Sequence, residues 1–446
     1  MSVTCATVEA EMTVNRDTLP VMTDVTAPGT RVPAARSAPD GVSDEPTPRR
    51  IPVPRLGVAA ALYAVSMLLL YLTPMGDNWN FVDVFVYRQG GLAVLHDQRL
   101  YVASFNHGQL PFTYPPASAL LFTGLGLVSD WVARILATVA SLCLLPLALR
   151  FALRLTPFSR WLSADEATRL ALAGAAGALW FEPVWTTLRY GQINVLIAAL
   201  ILFDLGRAEG HRTKGVAIGL AAGLKVTPLI FVVYLALTGR LRSAGTALAT
   251  LAGTIALSFL VVPQDAWTYW AHDVLNDGRP GKVENAADQN LRGALSRVLH
   301  TEQVEGVWLT AALITAVVGL ILAVRAWRRG GDEANGYALC ALTGLLVSPI
   351  SWTHHWVEAV PALLLVLLRA YRERRTAVLV GALAAVALGC SQVTWRVPVS
   401  GFAGTLELHE HGVQLLASNA YVIAGLIALC WAAYPPEPAR PGPDRG

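Results

Sequence analysis

The stretch W-N-F-V-D-V-F-V-Y-R-Q-G-G (residues 79–91), with L-Y-V (100–102) and P-F-T-Y-P-P (111–116) behind it, decides how the rest of the chain is read. It follows the first long apolar segment, 56–74, which is long enough to cross a hydrocarbon core of roughly 30 Å. Asp83 therefore stands where a chain leaving a bilayer meets water. A carboxylate at that depth is costly unless it is paired or used, which makes it a functional candidate. The competing reading is an interfacial Asp that starts a short helix, a position Asp favours. Phe81, Val82, Val84, Phe85 and Val86 suit a helix lying in the interface instead of crossing. On such a helix Asp83 and Tyr87, four residues apart, share a face. Gly90 and Gly91 are expected to end or bend it. Tyr114, Pro115 and Pro116 lock an extended entry into the next membrane segment, because proline restricts its own residue and the one before it.

Working outward, composition sets the class. Of 446 residues, 54% are hydrophobic and only 15% charged, and the mean hydropathy is +0.47. The chain reads as an all-α, multi-pass membrane protein. Its net charge of +3 is spread through loops, so no basic surface for nucleic acid is indicated. Cys5, Cys143, Cys340, Cys390 and Cys430 have no paired spacing, and four of them lie in apolar sequence; they read as small hydrophobes. Residues 1–50, rich in Pro, Thr and Ala without apolar periodicity, read as a disordered tail with no secretory leader. Arg49, Arg50 and Arg55 before the first span place that tail in the cytoplasm and the Asp83 loop outside.

The membrane domain is expected to cover 51–435, with a Pro-rich cytoplasmic tail at 436–446. Further apolar segments follow at 117–154, broken near 128–131, and at 169–187, 193–205, 215–237, 241–262, 304–324, 337–349, 357–368, 376–393 and 415–434. With the first span they make 12 crossings when 117–154 is taken as two; the other reading of that stretch is a short re-entrant piece and one long crossing. Arg325, Arg328 and Arg329, then Arg369, Arg372, Arg374 and Arg375, mark two cytoplasmic loops. The insert 264–303, S-P-I-S-W-T-H-H-W (348–356) and 395–413 then lie on the outer side with Asp83.

Several polar residues stand out at span boundaries. L-R-Y-G-Q-I-N (188–194) offers Arg189, Tyr190, Gln192 and Asn194, either to a turn backbone or to a ligand. Lys225, beside Pro228 in an apolar run, either snorkels or meets an anion. W-T-Y-W (267–270) reads as an interfacial belt inside a loop long enough to be functional. His354 and His355 are adjacent and read as a metal site, a base or polar contacts to a headgroup; adjacent histidines cannot easily share one metal from a helix, which needs ligands at i and i+4. His409, Glu410 and His411 miss H-E-x-x-H spacing as well. No metal or other cofactor is expected.

In order along 55–435, D-V-F-V-Y-R-Q-G-G, L-Y, F-T-Y-P-P, R-Y-G-Q-I-N, G-L-K-V-T-P, D-Q-N-L-R-G and S-P-I-S-W-T-H-H-W resemble the actinobacterial, especially mycobacterial, α-mannosyltransferases of glycosyltransferase family 87. The resemblance implies a GT-C membrane fold with the site on extracytoplasmic loops. It also implies a polyprenyl-phosphate-mannose donor and a mannosylated glycolipid acceptor: a phosphatidylinositol mannoside, lipomannan or lipoarabinomannan. It places the catalytic acid on Asp83, the donor-side histidine on His354 or His355, and the linkage at α-(1→2). The insert departs from the family's N-Q-S-L with Asp288, Gln289, Asn290 and Leu291, while Arg292 is kept.

The chemistry is consistent with that assignment. A sugar on a lipid phosphate already has a good leaving group, so one carboxylate suffices to take the acceptor hydroxyl proton. Cations must hold the phosphate as charge develops on it. Asp83 would be the base, inverting a β-linked donor to an α-mannoside. Arg292, Lys225 and Gln289, with a histidine, would hold the phosphate, and Arg88 is a weaker choice. Tyr87, Tyr114, Arg189, Gln192, Asn194 and Trp352 would contact substrate, and apolar spans would bind the prenyl tail at roughly 0.8 kcal/mol per buried CH₂. A sugar-nucleotide enzyme would need a strand, a G-x-G-x-x-G turn and a helix, and none is visible. A transporter or flippase of polyprenyl-linked sugar is the rival from another class, but it predicts inverted repeats that are not found. A ligase or polymerase of preassembled glycans is a third reading.

Overall fold

The structure, a computed structural model, describes residues 48–73, 79–101, 110–274, 281–399 and 405–433. The tails expected at 1–50 and 436–446 lie outside the described residues except for 48–50, as do Cys5 and Val102. Among the described residues every regular element is helical, and Asp288 and Trp352 form an isolated antiparallel bridge.

The chain begins with α1 (Leu56–Leu72), α2 (Val82–Leu95), α3 (Pro116–Gly126) and α4 (Asp130–Leu153). It continues through α5 (Ala164–Ala178), α6 (Glu182–Tyr190), α7 (Asn194–Leu205), α8 (Val216–Leu224) and α9 (Leu229–Leu237). Next come α10 (Leu241–Val261) and α11 (Pro263–Thr268), and after the insert α12 (Leu291–Leu299) and α13 (Glu305–Arg328). The last five are α14 (Glu333–Val347), α15 (Ala359–Arg372), α16 (Thr376–Cys390), α17 (Val413–Ser418) and α18 (Ala420–Ala433). Local chemistry sets many boundaries. Ser129 caps α4, Ser163 and Glu166 form a reciprocal capping box on α5, and the Asn290 side chain accepts the Gly293 N–H at the start of α12.

Four stretches among the described residues are long and apolar enough to cross a membrane: Asp130–Leu153, Leu241–Val261, Glu305–Arg328 and Thr376–Trp395. A fifth is added if α6 and α7, bent by 118° at their joint, make one broken span. Fewer stretches than the expected 12 are long enough to cross as single helices, because several apolar runs fold in shorter pieces. The run 215–237 becomes α8 and α9, nine residues each, since Lys225 leaves helical geometry (φ −152°, ψ 130°) just before Pro228. The run 117–154 is the 11-residue α3 followed by the 24-residue α4. On α13, Leu309, Leu313, Val317 and Ile321 repeat every four residues and are each about half exposed, an apolar stripe that suits lipid.

The helices around the site share one polarity. α7, α8, α9, α14 and α15 each have one end near Gln192, Lys225, Ser348 or Glu358, and the other among charges. Asp204 accepts the N–H groups of Gly215 and Ile218, Lys214 meets Glu209 at 2.7 Å, Arg240 meets Glu333 at 2.6 Å, and Arg369 pairs with Asp332. Cys143, Cys340, Cys390 and Cys430 are free thiols.

Two glycine positions fix how α2 sits. α2 does not end at Gly90 and Gly91, one of the two expectations, but runs through both to Leu95. A Cβ on Gly91 would lie 2.1 Å from the Phe122 carbonyl oxygen, so this pair lets α2 and α3 touch backbone to backbone. Gly191 ends α6 at φ +72°, and a Cβ there would come 2.0 Å from Val84 Cγ2. Gly191→Ala combines left-handed strain of about 1–2 kcal/mol with an overpacking cost of about 1–3 kcal/mol. We expect a clear fall in thermal stability of the detergent-solubilised protein, and an unchanged melting temperature would show that α2 and the α6–α7 joint do not need this contact.

Candidate active site

Asp83 is placed by the docking of α2's first turn onto the α6–α7 joint. Phe81, held in the left-handed region at φ 49°, donates its N–H to the Arg189 carbonyl at 3.0 Å, and Val84 rests against Gly191. A non-glycine residue in that conformation is strained and persists only where its surroundings hold it. The result is that Asp83 faces Gln192.

The amide of Gln192 is oriented by two phenols. Its Oε1 accepts from the Tyr87 hydroxyl at 2.7 Å and the Tyr114 hydroxyl at 2.9 Å, and the two hydroxyls are themselves 2.9 Å apart. Because the carbonyl oxygen is the partner that only accepts, the NH₂ must turn the other way, on the side of the Asp83 carboxylate, which it helps keep ionised. Tyr87 stacks on Phe122 with ring centroids 4.2 Å apart, so the frame is rigid.

A second group forms around Asn194 at the start of α7. Its Oδ1 accepts from Lys225 Nζ at 2.8 Å, and its Nδ2 donates to the His354 carbonyl at 3.1 Å. Thr187 donates to the same carbonyl at 3.2 Å. One asparagine therefore fixes the ammonium and the histidine segment together. The insert holds that segment from its other side. Gln289 N–H donates to Ser351 O and Thr353 N–H to Ala287 O, each at 2.8 Å, while Asp288 Oδ1 accepts the Ser351 N–H at 2.6 Å and Gln289 O accepts from the Trp356 indole at 3.0 Å.

These elements enclose a cavity of about 860 Å³. Asp83, Tyr114 and Gln192 line one wall, and Lys225, Trp352, His354 and His355 line another. Tyr190, Tyr269 and Trp308 supply aromatic surface. Asp83 is only half-buried because it opens onto this cavity, yet protein surrounds it on its other sides. Burial pushes its carboxyl up to about 7, against the Gln192 hydrogen bond and the charge of Lys225, which both pull it down. Burial, and then the nearby Lys225 ammonium, hold the imidazoles of His354 and His355 well below their usual range, so both are neutral at pH 7. His354 is 6% exposed, and its Nε2 has no hydrogen-bond partner among the described residues. A buried ring nitrogen of that kind is a ready partner for a ligand oxygen.

The structure thus brings together Asp83, Tyr114, Gln192, Lys225, Trp352, His354 and His355. Tyr87 and Asn194 stand behind the wall and orient residues that reach it. Arg189 is turned away, its guanidinium 4.7 Å from the Trp395 ring centroid and 5.4 Å from that of Trp185. Gln289 is fully buried and spent on backbone: it donates to Ala286 O and Ser418 O and accepts from Tyr421 N–H. Arg292 meets Glu305 at 3.1 Å and lies 5.1 Å from the Trp308 ring centroid, behind the cavity-lining face of that tryptophan. Arg88 donates to Val128 O at 3.0 Å. Of W-T-Y-W, Trp267 is largely exposed as a belt residue would be, whereas Tyr269 is buried and faces the cavity. Sequence reading passed over Glu358, which lies beside Lys225 in a smaller adjoining cavity. The signal was present, since an acid three residues after His355 at the edge of an apolar run meets the criterion that singled out Asp83.

Comparison with known proteins adds to this geometry. The profile of glycosyltransferase family 87 matches residues 112–349. A polyprenol-phosphate-mannose-dependent alpha-(1-2)-phosphatidylinositol mannoside mannosyltransferase of Mycobacterium tuberculosis is 33% identical over 320 residues, 69% of this chain and 75% of that protein. An alpha-(1-2)-phosphatidylinositol pentamannoside mannosyltransferase of Mycolicibacterium smegmatis with the same donor dependence is 31% identical over 422 residues, 91% of this chain and 98% of its own length. Among solved structures, ArnT from Cupriavidus metallidurans bound to undecaprenyl phosphate superposes with a TM-score of 0.44 at 14% identity, covering 85% of this chain and 73% of ArnT.

Proposed function

The chain belongs to glycosyltransferase family 87 and is a membrane mannosyltransferase, and from that premise we propose how it works: it moves mannose from polyprenol-phosphate-mannose to a phosphatidylinositol mannoside, forming an α-(1→2) bond, with Asp83 as the base. The observation that carries the reading is Asp83 itself, opening onto the cavity that Lys225, His354 and His355 also line. Asp83 takes the proton of the acceptor hydroxyl as that oxygen attacks the anomeric carbon from the face opposite the phosphate. The bond from that carbon to the phosphate oxygen breaks, the configuration inverts, and polyprenyl phosphate leaves with one more negative charge. The Lys225 ammonium and the unpartnered His354 Nε2 face that growing charge in a partly dewatered pocket, where fixed donors are worth most. No protein acid is needed, because phosphate leaves without protonation.

The arginine-bearing loops gather at the end of the helices opposite the cavity, with Arg328 donating to Leu237 O and Arg369 paired with Asp332. By the positive-inside rule that polarity supports a GT-C arrangement with the cavity outside and both ends of the membrane domain in the cytoplasm.

Membranes containing the protein, given radiolabelled polyprenyl-phosphate-mannose and a phosphatidylinositol mannoside, are expected to yield a labelled glycolipid. An α-(1→2)-specific mannosidase should release its label. Label that crosses the membrane still on its polyprenyl carrier, with none in glycolipid, would overturn the reading in favour of transport.

A further inference from the structure

Behind the wall that Lys225, Thr227, Ser348 and His355 share with the large cavity lies a second cavity of about 20 Å³, closed on its far side by Ser351 and Glu358. It has room for one water, and its polar lining offers the two to four partners such a water needs. Ser351 is 1% exposed, and its Oγ has no hydrogen-bond partner among the described residues. Glu358 accepts the Tyr337 hydroxyl with its backbone carbonyl at 2.8 Å, which leaves its carboxylate to the small cavity, where it feels the charge of Lys225. Lys225 is thus faced by Asp83 from α2, by Glu358 from the turn before α15, and by the neutral rings of His354 and His355. One of its three N–H bonds is committed to Asn194.

We propose that Glu358 is a positioning residue for mannosyl transfer: acting through a bridging water in the small cavity, from the side away from substrate, it draws a second N–H bond of Lys225 and leaves the third aimed at the donor phosphate. This rests on the reading of the large cavity as the donor site. Glu358 touches neither sugar nor phosphate. Its carboxylate sets the direction of the ammonium and supplies the countercharge that a half-buried lysine needs before an anionic substrate arrives.

Steady-state kinetics of the purified full chain with a soluble short-chain polyprenyl-phosphate-mannose test this. Glu358→Gln keeps the shape and removes the charge, and is expected to raise the donor KM about tenfold while kcat falls several times less. Glu358→Asp should recover most of that loss, because a water bridge tolerates a side chain one methylene shorter. Ser351→Ala, which removes another partner of the same water, should raise KM in the same direction by about two- to fourfold. A native KM in Glu358→Gln, or Glu358→Asp no better than Glu358→Gln, overturns the proposal. If Glu358→Gln does not accumulate as folded protein, a native KM in Ser351→Ala overturns it. The native chain in the same assay separates the two levels. No transfer by it defeats the mannosyl reading, whereas transfer with unmoved KM values in the variants defeats this inference alone.

Discussion

Asp83→Asn is expected to lower kcat by about a hundredfold to ten-thousandfold, the span that general-base catalysis usually covers, while the donor KM moves by no more than a few-fold. Asparagine fits the same space beside Gln192 and retains a hydrogen-bonding group, so the docking of α2 on the α6–α7 joint should survive. What disappears is the cavity-lining carboxylate beside the Tyr87–Tyr114–Gln192 frame. The pH profile of the native enzyme gives a second handle. The Asp83 carboxyl is pushed up to about 7 by burial, and it must be ionised to act. The kcat/KM should therefore fall tenfold per unit below pH 7, instead of near pH 4 where an ordinary carboxylate would set the limb. A variant that retains a tenth of native kcat, or a profile flat down to pH 5, would remove Asp83 as the base.

Lys225→Met should cost about a hundredfold to a thousandfold in kcat/KM, the usual price of losing one aimed charge from a transition state. Methionine fills the stem's volume at the α8–α9 break without the ammonium. It should also act at a distance, because Lys225 is one of the groups that pull the Asp83 carboxyl down. With it gone the acidic limb should move to higher pH, which a purely structural defect would not produce. Lys225→Arg is not expected to rescue fully, because a planar fork replaces a compact charge seated on Asn194. A loss smaller than fivefold with an unmoved limb would mean that the phosphate is held elsewhere, and Arg292, behind Trp308, would be the next residue to change.

Much of the site was legible because membrane insertion makes polar residues conspicuous. Asp83, Lys225, Gln192 and the two histidines each stand out against apolar neighbours, and the chain puts them on one cavity. What stayed hidden was division of labour. Gln289 and Asn290 belong to the motif D-Q-N-L-R-G, yet one ties down the backbone of Ala286, Ser418 and Tyr421 and the other caps α12. No spacing rule separates a motif's polar residue that meets substrate from one that meets backbone. The described residues hold fewer long helices than expected spans for a related reason. Hydropathy sees the run 215–237 as one length of apolar sequence, while Lys225 and Pro228 break it into two short helices.

That break sets how deep the reaction lies. Nine residues of helix rise only about 13 Å, against a hydrocarbon slab of roughly 30 Å. For an upright α8 whose ion-bearing end lies at the slab's edge, the ammonium is about 13 Å into it, beneath the plane at which phospholipid headgroups float. A long, supple isoprenoid can let its cargo sink to that level without drawing its own tail into water. A two-tailed acceptor is moored at the surface and has to lower its sugars instead, so the span of its glycan, ahead of any fine recognition, decides whether its terminal hydroxyl arrives.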